Sequence, residues 1–169
     1  MVSQILEEIK LLTKGETDLL ETTPRLSIVI PAYNEVDRIE PTLLDLMFTL
    51  ENKLKFNINY ELIVMMDGCI DGTPERVNAI IKNHLRVSAF VLPNRLGKGG
   101  AIIEALKYAR GDLIAFVDAD GSIPPSELSR LIELTDKYDL VIGSRYAKNS
   151  VLPIRRSFSR FFLVGHLMF

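Results

Sequence analysis

The sequence predicts an α/β fold with three layers, in which helices cover both faces of a mainly parallel sheet. Two observations lead to it. Short β-branched runs alternate with segments of helical periodicity, and the runs are almost continuously apolar, as in strands buried on both faces. Five strands are predicted, over residues 26–30, 60–66, 85–91, 113–117 and 140–142.

The helix boundaries are also marked in the sequence. Thr73 followed by Pro74 is typical of a helix start, with Thr73 as the N-cap and proline in the first turn. Gly111 stands where a helix C-cap is expected. Both signals fit a chain in which strands and helices alternate.

Length and composition fit one globular core. The chain has 169 residues, of which 47% are hydrophobic and 25% charged, and this excludes a disordered or collagen-like chain. A formal net charge of −2 gives no overall positive field, so we expect no nucleic-acid partner. The single cysteine, Cys69, excludes an internal disulfide, and with only two histidines a Cys/His zinc site is not expected.

Three segments differ in character. Residues 1–24 predict an amphipathic helix and a linker, residues 25–150 the α/β core, and residues 151–169 a basic, aromatic segment. Neither a signal sequence nor an apolar stretch long enough to span a membrane is evident, so we expect a cytoplasmic protein. The last segment is interpreted either as a helix lying on the cytoplasmic membrane face or as a core helix cut off from its partner.

Polar and glycine-rich loops follow the predicted strands. In open α/β sheets, ligands bind beyond the carboxyl ends of the strands, where helix N-termini also point. The loops in question are residues 31–35, 67–73, 94–100, 118–122 and 143–146. The connections on the other edge, such as residues 55–59, carry ordinary solvated side chains. The sequence therefore predicts one site at one edge of the sheet.

Asp118 and Asp120 are the candidate metal ligands. They follow an apolar run with Ala119 between them, so an extended backbone points both carboxylates to the same side. Hard oxygen ligands suit Mg²⁺ or Mn²⁺, which takes its remaining ligands from water and phosphates. The alternative interpretation is a pair of aspartates that only begins a turn.

The other loops offer groups for a nucleotide. Glycine-rich residues 97–100, which include Lys98, open a helix and can present backbone N–H groups to an anion, although they match neither a Walker loop nor a dinucleotide fingerprint and a plain turn is the alternative. Tyr33 offers a ring for stacking and Glu35 a carboxylate for a base or ribose. Glu35 can instead be an acidic residue in the first turn of the next helix. For Asp67, a role in a turn and a contact to a base are both possible interpretations.

Five motifs, in order and spacing, resemble the family-two inverting glycosyltransferases, and among them the dolichyl-phosphate and polyprenyl-phosphate glucose and mannose synthases. The motifs are IVIPAYNE at residues 28–35, DGCIDGT at 67–73, NRLGKGGA at 94–101, FVDADG at 116–121 and VIGSRY at 141–146. The resemblance implies a GT-A fold. It also implies transfer of glucose or mannose, with inversion, from a UDP- or GDP-sugar through Mg²⁺ or Mn²⁺ to a polyprenyl or dolichyl phosphate.

The resemblance assigns roles to individual residues. It implies a nucleotide site formed by Pro31, Ala32, Tyr33, Glu35, Asp67, Lys98, Asp118 and Ala119. It implies a metal site formed by Asp118, Asp120 and Ser122, and catalytic roles for Asp120 and Arg145. Arg155 and Arg156 are expected to meet the phosphate of the acceptor or donor.

The chain departs from the family pattern in two places. Relatives usually have Asp-Asp-Gly where this chain has Met66-Asp67-Gly68, so one polar contact to the nucleoside is expected to be missing. In relatives an Asp-containing segment rich in glycine and phenylalanine follows the stretch equivalent to residues 158–169. The resemblance therefore implies a truncated catalytic core that lacks the general base.

Two other functions use the same residues. Residues 117–122 also resemble the Asp-x-Asp-Gly-Thr loop of haloacid dehalogenase-like phosphatases, in which Asp118 would be a phosphoryl nucleophile. In those enzymes the loop follows the first strand, whereas here it follows the fourth predicted one. A non-catalytic module that binds nucleotide sugars is the second alternative.

Overall fold

The structure, a computed structural model, describes residues 23–52 and 59–144. The elements in chain order are β1 (Leu26–Ala32), α1 (Ile39–Asn52), β2 (Tyr60–Asp67), α2 (Thr73–Ile81), β3 (Val87–Leu92), α3 (Gly97–Leu106), β4 (Leu113–Phe116) and α4 (Pro125–Leu134). The predicted N-terminal helix and the predicted segment 151–169 lie outside the described residues. The chain divides into two compact units, one ending at Arg130 and one beginning at Leu131.

The strands form a parallel sheet in the order β3-β2-β1-β4. Val29 of β1 pairs with Ile63 of β2 on one side and with Phe116 of β4 on the other. The two central strands are the most buried, and all eight residues of β2 are buried. The predicted α/β class with a parallel sheet flanked by helices is therefore confirmed.

The core fills both faces of the sheet. On one face, α3 places Ala101 and Ala105 against Val29, Ile63 and Met65, and all five side chains are fully buried. The short alanines let the helix lie close to the strands. The alternate strand residues point to the other face and are equally buried: Ile28, Ile30, Leu62 and Val64. Helices α1 and α2 pack on each other, and α2 also contacts β2 and β3.

None of the helices within residues 23–52 and 59–144 combines the length and the hydropathy needed to cross a bilayer.

The fifth strand predicted from the sequence is wrong. Residues 140–142 form no strand, and the side chains of Leu140 and Ile142 are 77% and 74% exposed. An apolar, β-branched run stabilises a strand only when its side chains are buried against neighbours. Three residues without such burial do not specify one.

The predicted cap residues serve other purposes. The N-cap of α2 is Gly72, and Thr73 is already helical. The Thr73 hydroxyl instead accepts a hydrogen bond from the Glu35 backbone N–H at 2.8 Å, while Asp71 accepts one from the N–H of Thr73 at 3.0 Å. A tertiary contact thus replaces the predicted cap.

Gly111 is not a helix cap, because α3 ends at Leu106 and Lys107 is its C-cap. It lies against β1, where its N–H donates to the Ser27 hydroxyl at 2.8 Å. A Cβ atom at this position would be 2.7 Å from the backbone nitrogen of Ser27, closer than real Cβ contacts come. Gly111 is therefore required by the close approach of two backbones.

A buried carboxylate joins the strands at their amino ends. Glu61, 7% exposed, accepts hydrogen bonds from the Ser27 hydroxyl at 2.7 Å and from the Arg110 backbone N–H at 2.8 Å. The Arg110 guanidinium adds two more at 3.0 and 2.8 Å. Since buried charges are stable only when fully paired, this network ties β1, β2 and the α3–β4 connection together.

We expect Gly111→Ala to destabilise the protein by about 1–3 kcal/mol, because the added methyl group overlaps the β1 backbone. Gly99→Ala is the matched control, since a Cβ at that helical position meets nothing within 4 Å. It should stabilise by roughly 0.5–1 kcal/mol through helix propensity. Urea unfolding measures both changes. Equal effects of the two substitutions would contradict the close approach described for Gly111.

Candidate functional site at the carboxyl edge of the sheet

A cavity of about 290 Å³ opens at the carboxyl edge, the edge at which the four strands end. Its lining comes from the ends of β1 and β2, from the loops after β1, β3 and β4, and from the first turns of α3. The lining residues are Pro31, Ala32, Tyr33, Glu35, Asp67, Arg95, Lys98, Ala101, Asp118, Ala119 and Asp120. Parallel pairing is what brings these distant parts of the sequence together.

The cavity contains all eight residues assigned to the nucleotide, together with Asp120. Ser122 is exposed and does not line it. Arg145, Arg155 and Arg156 lie outside the described residues. The sequence interpretation did not select Arg95 or Ala101. Arg95 had a signal, because it stands in the same glycine-rich loop as Lys98, whereas Ala101 lines the cavity only because α3 starts there.

The β1–α1 loop is fixed to the β2–α2 loop by side chains that accept backbone hydrogen bonds. Asn34, which has a left-handed backbone with φ 54°, accepts from Ile70 at 3.0 Å. Asp71 accepts from Val36 at 3.2 Å, next to the bond between Glu35 and Thr73. Tyr33 and Glu35 are therefore held on a rigid support.

Asp67 positions the segment that carries both cations of the cavity. Its side chain is at the end of β2, and the residue is 3% exposed. One carboxylate oxygen accepts the N–H of Leu96 at 2.6 Å and the other accepts the N–H of Gly97 at 2.8 Å. Gly97 has φ 79°, which glycine tolerates best. A carboxylate at the start of α3 also interacts favourably with the helix dipole. This anchoring role was not part of the sequence interpretation.

The guanidinium group of Arg95 lies over the ring of Tyr33. The guanidinium carbon is 3.7 Å from the ring centroid, which is the geometry of a cation–π contact. Both side chains line the cavity, and both are planar. The pair forms a polarisable wall of two planar groups, and planar groups of this kind are those on which a heterocyclic ring stacks.

Asp118 forms an ion pair with Lys98. The side chains are 35% and 55% exposed, so solvent reaches both partners. The turn between the two aspartates contacts α1, where the single proton of the Thr42 hydroxyl is shared between the carbonyl oxygens of Arg38 at 2.7 Å and Ala119 at 3.1 Å. The loop that carries Asp118 therefore contacts α1, while the ion pair itself is open to solvent.

Asp120 and Glu35 differ in their electrostatics. Burial alone would raise the pKa of Asp120, but hydrogen bonds from the backbone and side chain of Ser122 and the charge of Arg38 hold it below its usual range. Burial raises the pKa of Glu35, which the nearby charge of Arg38, paired at 2.6 Å, partly offsets and the charge of Asp120 reinforces. Asp120 is thus kept ionised.

The carboxylates of the cavity suit a hard divalent cation that takes few of its ligands from the protein. Within the described ranges, no group of three or more His, Cys, Asp or Glu side chains is arranged to hold a metal. Asp118 and Asp120 line the same cavity and offer carboxylate oxygens alone. Mg²⁺ and Mn²⁺ accept such sites, since they complete their coordination with water and phosphate oxygens.

Relatives in sequence carry the names of sugar transferases. Over 128 residues the chain is 37% identical to glycosyltransferase AglD of Haloferax volcanii, a match that covers 75% of this chain and 20% of AglD. Over 127 residues it is 35% identical to a dolichyl-phosphate beta-glucosyltransferase of Trichomonas vaginalis, covering 70% of this chain and 38% of that protein. The chain therefore spans well under half the length of these relatives.

A solved structure with the same fold contains a nucleotide sugar and a metal. It is the mannosyltransferase PcManGT from Pyrobaculum calidifontis in complex with GDP-Man and Mn²⁺. The TM-score is 0.58 at 27% identity, over 69% of this chain and 34% of that one. The GT-A fold implied by the resemblance is confirmed.

The family itself follows from the extent of the match. The model of the family "Glycosyl transferase family 2" matches residues 27–167, which include β2 to β4, all of β1 but its first residue, and every loop of the cavity. Because this is well over half of the sequence, the chain belongs to glycosyl transferase family 2.

Proposed function

We propose that the chain binds a UDP- or GDP-linked hexose through Mg²⁺ or Mn²⁺ and forms the donor side of a hexosyltransferase. The observation that supports this most is the convergence of Asp118 and Asp120 with Tyr33 and Lys98 in one cavity. Carboxylates for a cation, a cation for phosphates and a ring for a base are the groups that a nucleoside diphosphate requires. The GDP-Man and Mn²⁺ held by the related mannosyltransferase are consistent with it.

The nucleoside and diphosphate are proposed to occupy different parts of the cavity. The base stacks against the Tyr33–Arg95 wall, within reach of the Glu35 carboxylate. The diphosphate lies between Lys98 and the two aspartates, with Asp118 and Asp120 as the protein ligands of the cation. When bound, that cation supplies charge neutralisation of the leaving diphosphate. Ser122 supports Asp120 through its N–H at 2.9 Å, and its role as a direct ligand remains a prediction.

For the acceptor we propose a polyprenyl or dolichyl phosphate at the membrane surface, with glucose or mannose transferred under inversion. One relative is named for dolichyl phosphate. A lipid phosphate is already anionic near neutral pH, so it can attack without a positioned general base. Arg145, Arg155 and Arg156 are the proposed phosphate contacts. Labelled hexose should appear on dolichyl phosphate presented in vesicles, and release of free sugar alone would contradict this acceptor.

Membership of the glycosyltransferase family does not favour the two alternatives. A phosphatase needs Asp118 as a free nucleophile at the end of the first strand, whereas here it is paired with Lys98 after the fourth strand. A non-catalytic binding module has no support from the relatives, which are named as transferases.

Asp120→Asn should abolish the metal-dependent part of nucleotide binding. A ligand at 100 times its Kd stabilises a protein by about 2.7 kcal/mol, a shift readily seen in thermal unfolding. UDP and GDP are each tested with and without Mn²⁺. Asp112→Asn is the control, because this exposed aspartate precedes β4 at the opposite edge. Full retention of the Mn²⁺-dependent shift in Asp120→Asn would contradict the proposed site.

Two of the cavity carboxylates, Asp120 and Glu35, should give opposite pH dependences. The lowered pKa of Asp120 means that its ionisation stabilises the fold above the ordinary Asp pKa, and this is lost as pH falls through the lowered value. The raised pKa of Glu35 means that its ionisation destabilises the fold as pH rises from the ordinary to the raised value.

Across the acidic range, therefore, Asp120→Asn should lose stability relative to wild type as the pH rises to the ordinary Asp pKa of about 3.9, and Glu35→Gln should gain it as the pH rises above the ordinary Glu pKa of about 4.3. Urea unfolding across this range measures the two differences without any ligand. If the difference in unfolding free energy from wild type changed with pH in the same direction for both variants, the described environments of these carboxylates would be wrong.

A further inference from the structure

Lys98 holds the carboxylate that the proposed metal needs. It is the second residue of α3, and its ammonium group is paired with an Asp118 oxygen across the cavity. An oxygen that accepts an ammonium group is not free to coordinate, and a divalent cation placed there would repel the ammonium. Lys98 and a metal ion therefore compete for one carboxylate.

The second aspartate has a different environment. Asp120 accepts a hydrogen bond from the Ser122 N–H at 2.9 Å and interacts with the charge of Arg38, which is itself paired with Glu35. The loop between the two aspartates contacts α1 through Thr42 and not through Lys98. The loss of the Lys98 contact therefore needs no rearrangement of the acidic loop.

The side chain of Lys98 can move while its backbone stays in place. Asp67 holds the start of α3 through Leu96 and Gly97, and Ala101 and Ala105 hold its buried face. The Lys98 side chain is 55% exposed on a flexible four-carbon stem. Its ammonium group can swing within the cavity, at the edge where the proposed diphosphate lies.

We propose that Lys98 is the resident counter-ion of Asp118 and that its ammonium group transfers from Asp118 to the donor diphosphate when a divalent cation binds. This rests on the proposed donor site. In the free protein Lys98 weakens metal binding, because displacing it leaves a cation without a partner. Once a diphosphate is present, the displaced ammonium gains a new anionic partner. Lys98 thereby couples the binding of metal and nucleotide, so that each favours the other.

The proposal predicts that one substitution of Lys98 strengthens metal binding and weakens nucleotide binding. Lys98→Met should bind Mn²⁺ about two- to fivefold more tightly than wild type without nucleotide, the range set by a solvent-exposed ion pair. At saturating Mn²⁺ it should bind UDP or GDP several-fold more weakly. Electron paramagnetic resonance of free Mn²⁺ gives the first affinity and calorimetric titration the second. Lys98→Gln provides a second neutral variant, and Lys98→Arg keeps the charge.

Lys107→Met is the matched control. Lys107 comes directly after the last residue of the same helix and does not line the cavity. Its side chain is 61% exposed and is paired with Glu104 at 2.7 Å. It should leave both affinities unchanged. If Lys98→Met and Lys98→Gln behave like Lys107→Met while wild type binds Mn²⁺ and nucleotide together, the counter-ion role is wrong and the donor site stands. If wild type binds no Mn²⁺ even with UDP or GDP, the donor site itself is wrong.

Discussion

The parallel pairing of β1 with β2 and β4 is the constraint on which the site depends. The register places Ala32 beside Met66, so Tyr33, the first residue after β1, and Asp67, the last residue of β2, lie at the same level. On the other side Val29 pairs with Phe116, and Asp118 follows two residues later. An antiparallel neighbour would carry its loop to the opposite edge. The burial of β1 and β2 thus determines which polar side chains meet.

The two edges of the sheet use carboxylates differently. At the amino edge, Glu61 is buried and fully occupied by donors from Ser27 and Arg110, which makes it a structural group. At the carboxyl edge, Asp118 has an exposed lysine as its partner, and this contact can be exchanged at little cost. Asp67 belongs to the carboxyl edge, yet it is buried and holds backbone N–H groups. Two features therefore distinguish the carboxylates that anchor the fold from those that can bind a ligand. They are the burial of the carboxylate and the kind of group that donates a hydrogen bond to it.

Much of the fold and cavity could be predicted because they depend on local patterns. Continuous apolar runs predicted β1 to β4. The polar loops after these runs predicted that the aspartates and Tyr33 belong to one site. The errors lie where a distant partner decides the outcome. The role of Gly111 depends on its close contact with the backbone of Ser27, and the role of Thr73 depends on its hydrogen bond with Glu35. The contact between Asp67 and Leu96 spans 29 residues and leaves no periodic signal. Residues 140–142 show the converse, an apolar run without burial.

A crystal grown with Mn²⁺ and UDP or GDP, measured at the manganese absorption edge, tests the central claim most directly. The anomalous difference map should show one peak within coordination distance of carboxylate oxygens from both Asp118 and Asp120, in contact with the diphosphate. A nucleotide bound in the cavity with manganese elsewhere, or with neither aspartate as a ligand, would contradict the account.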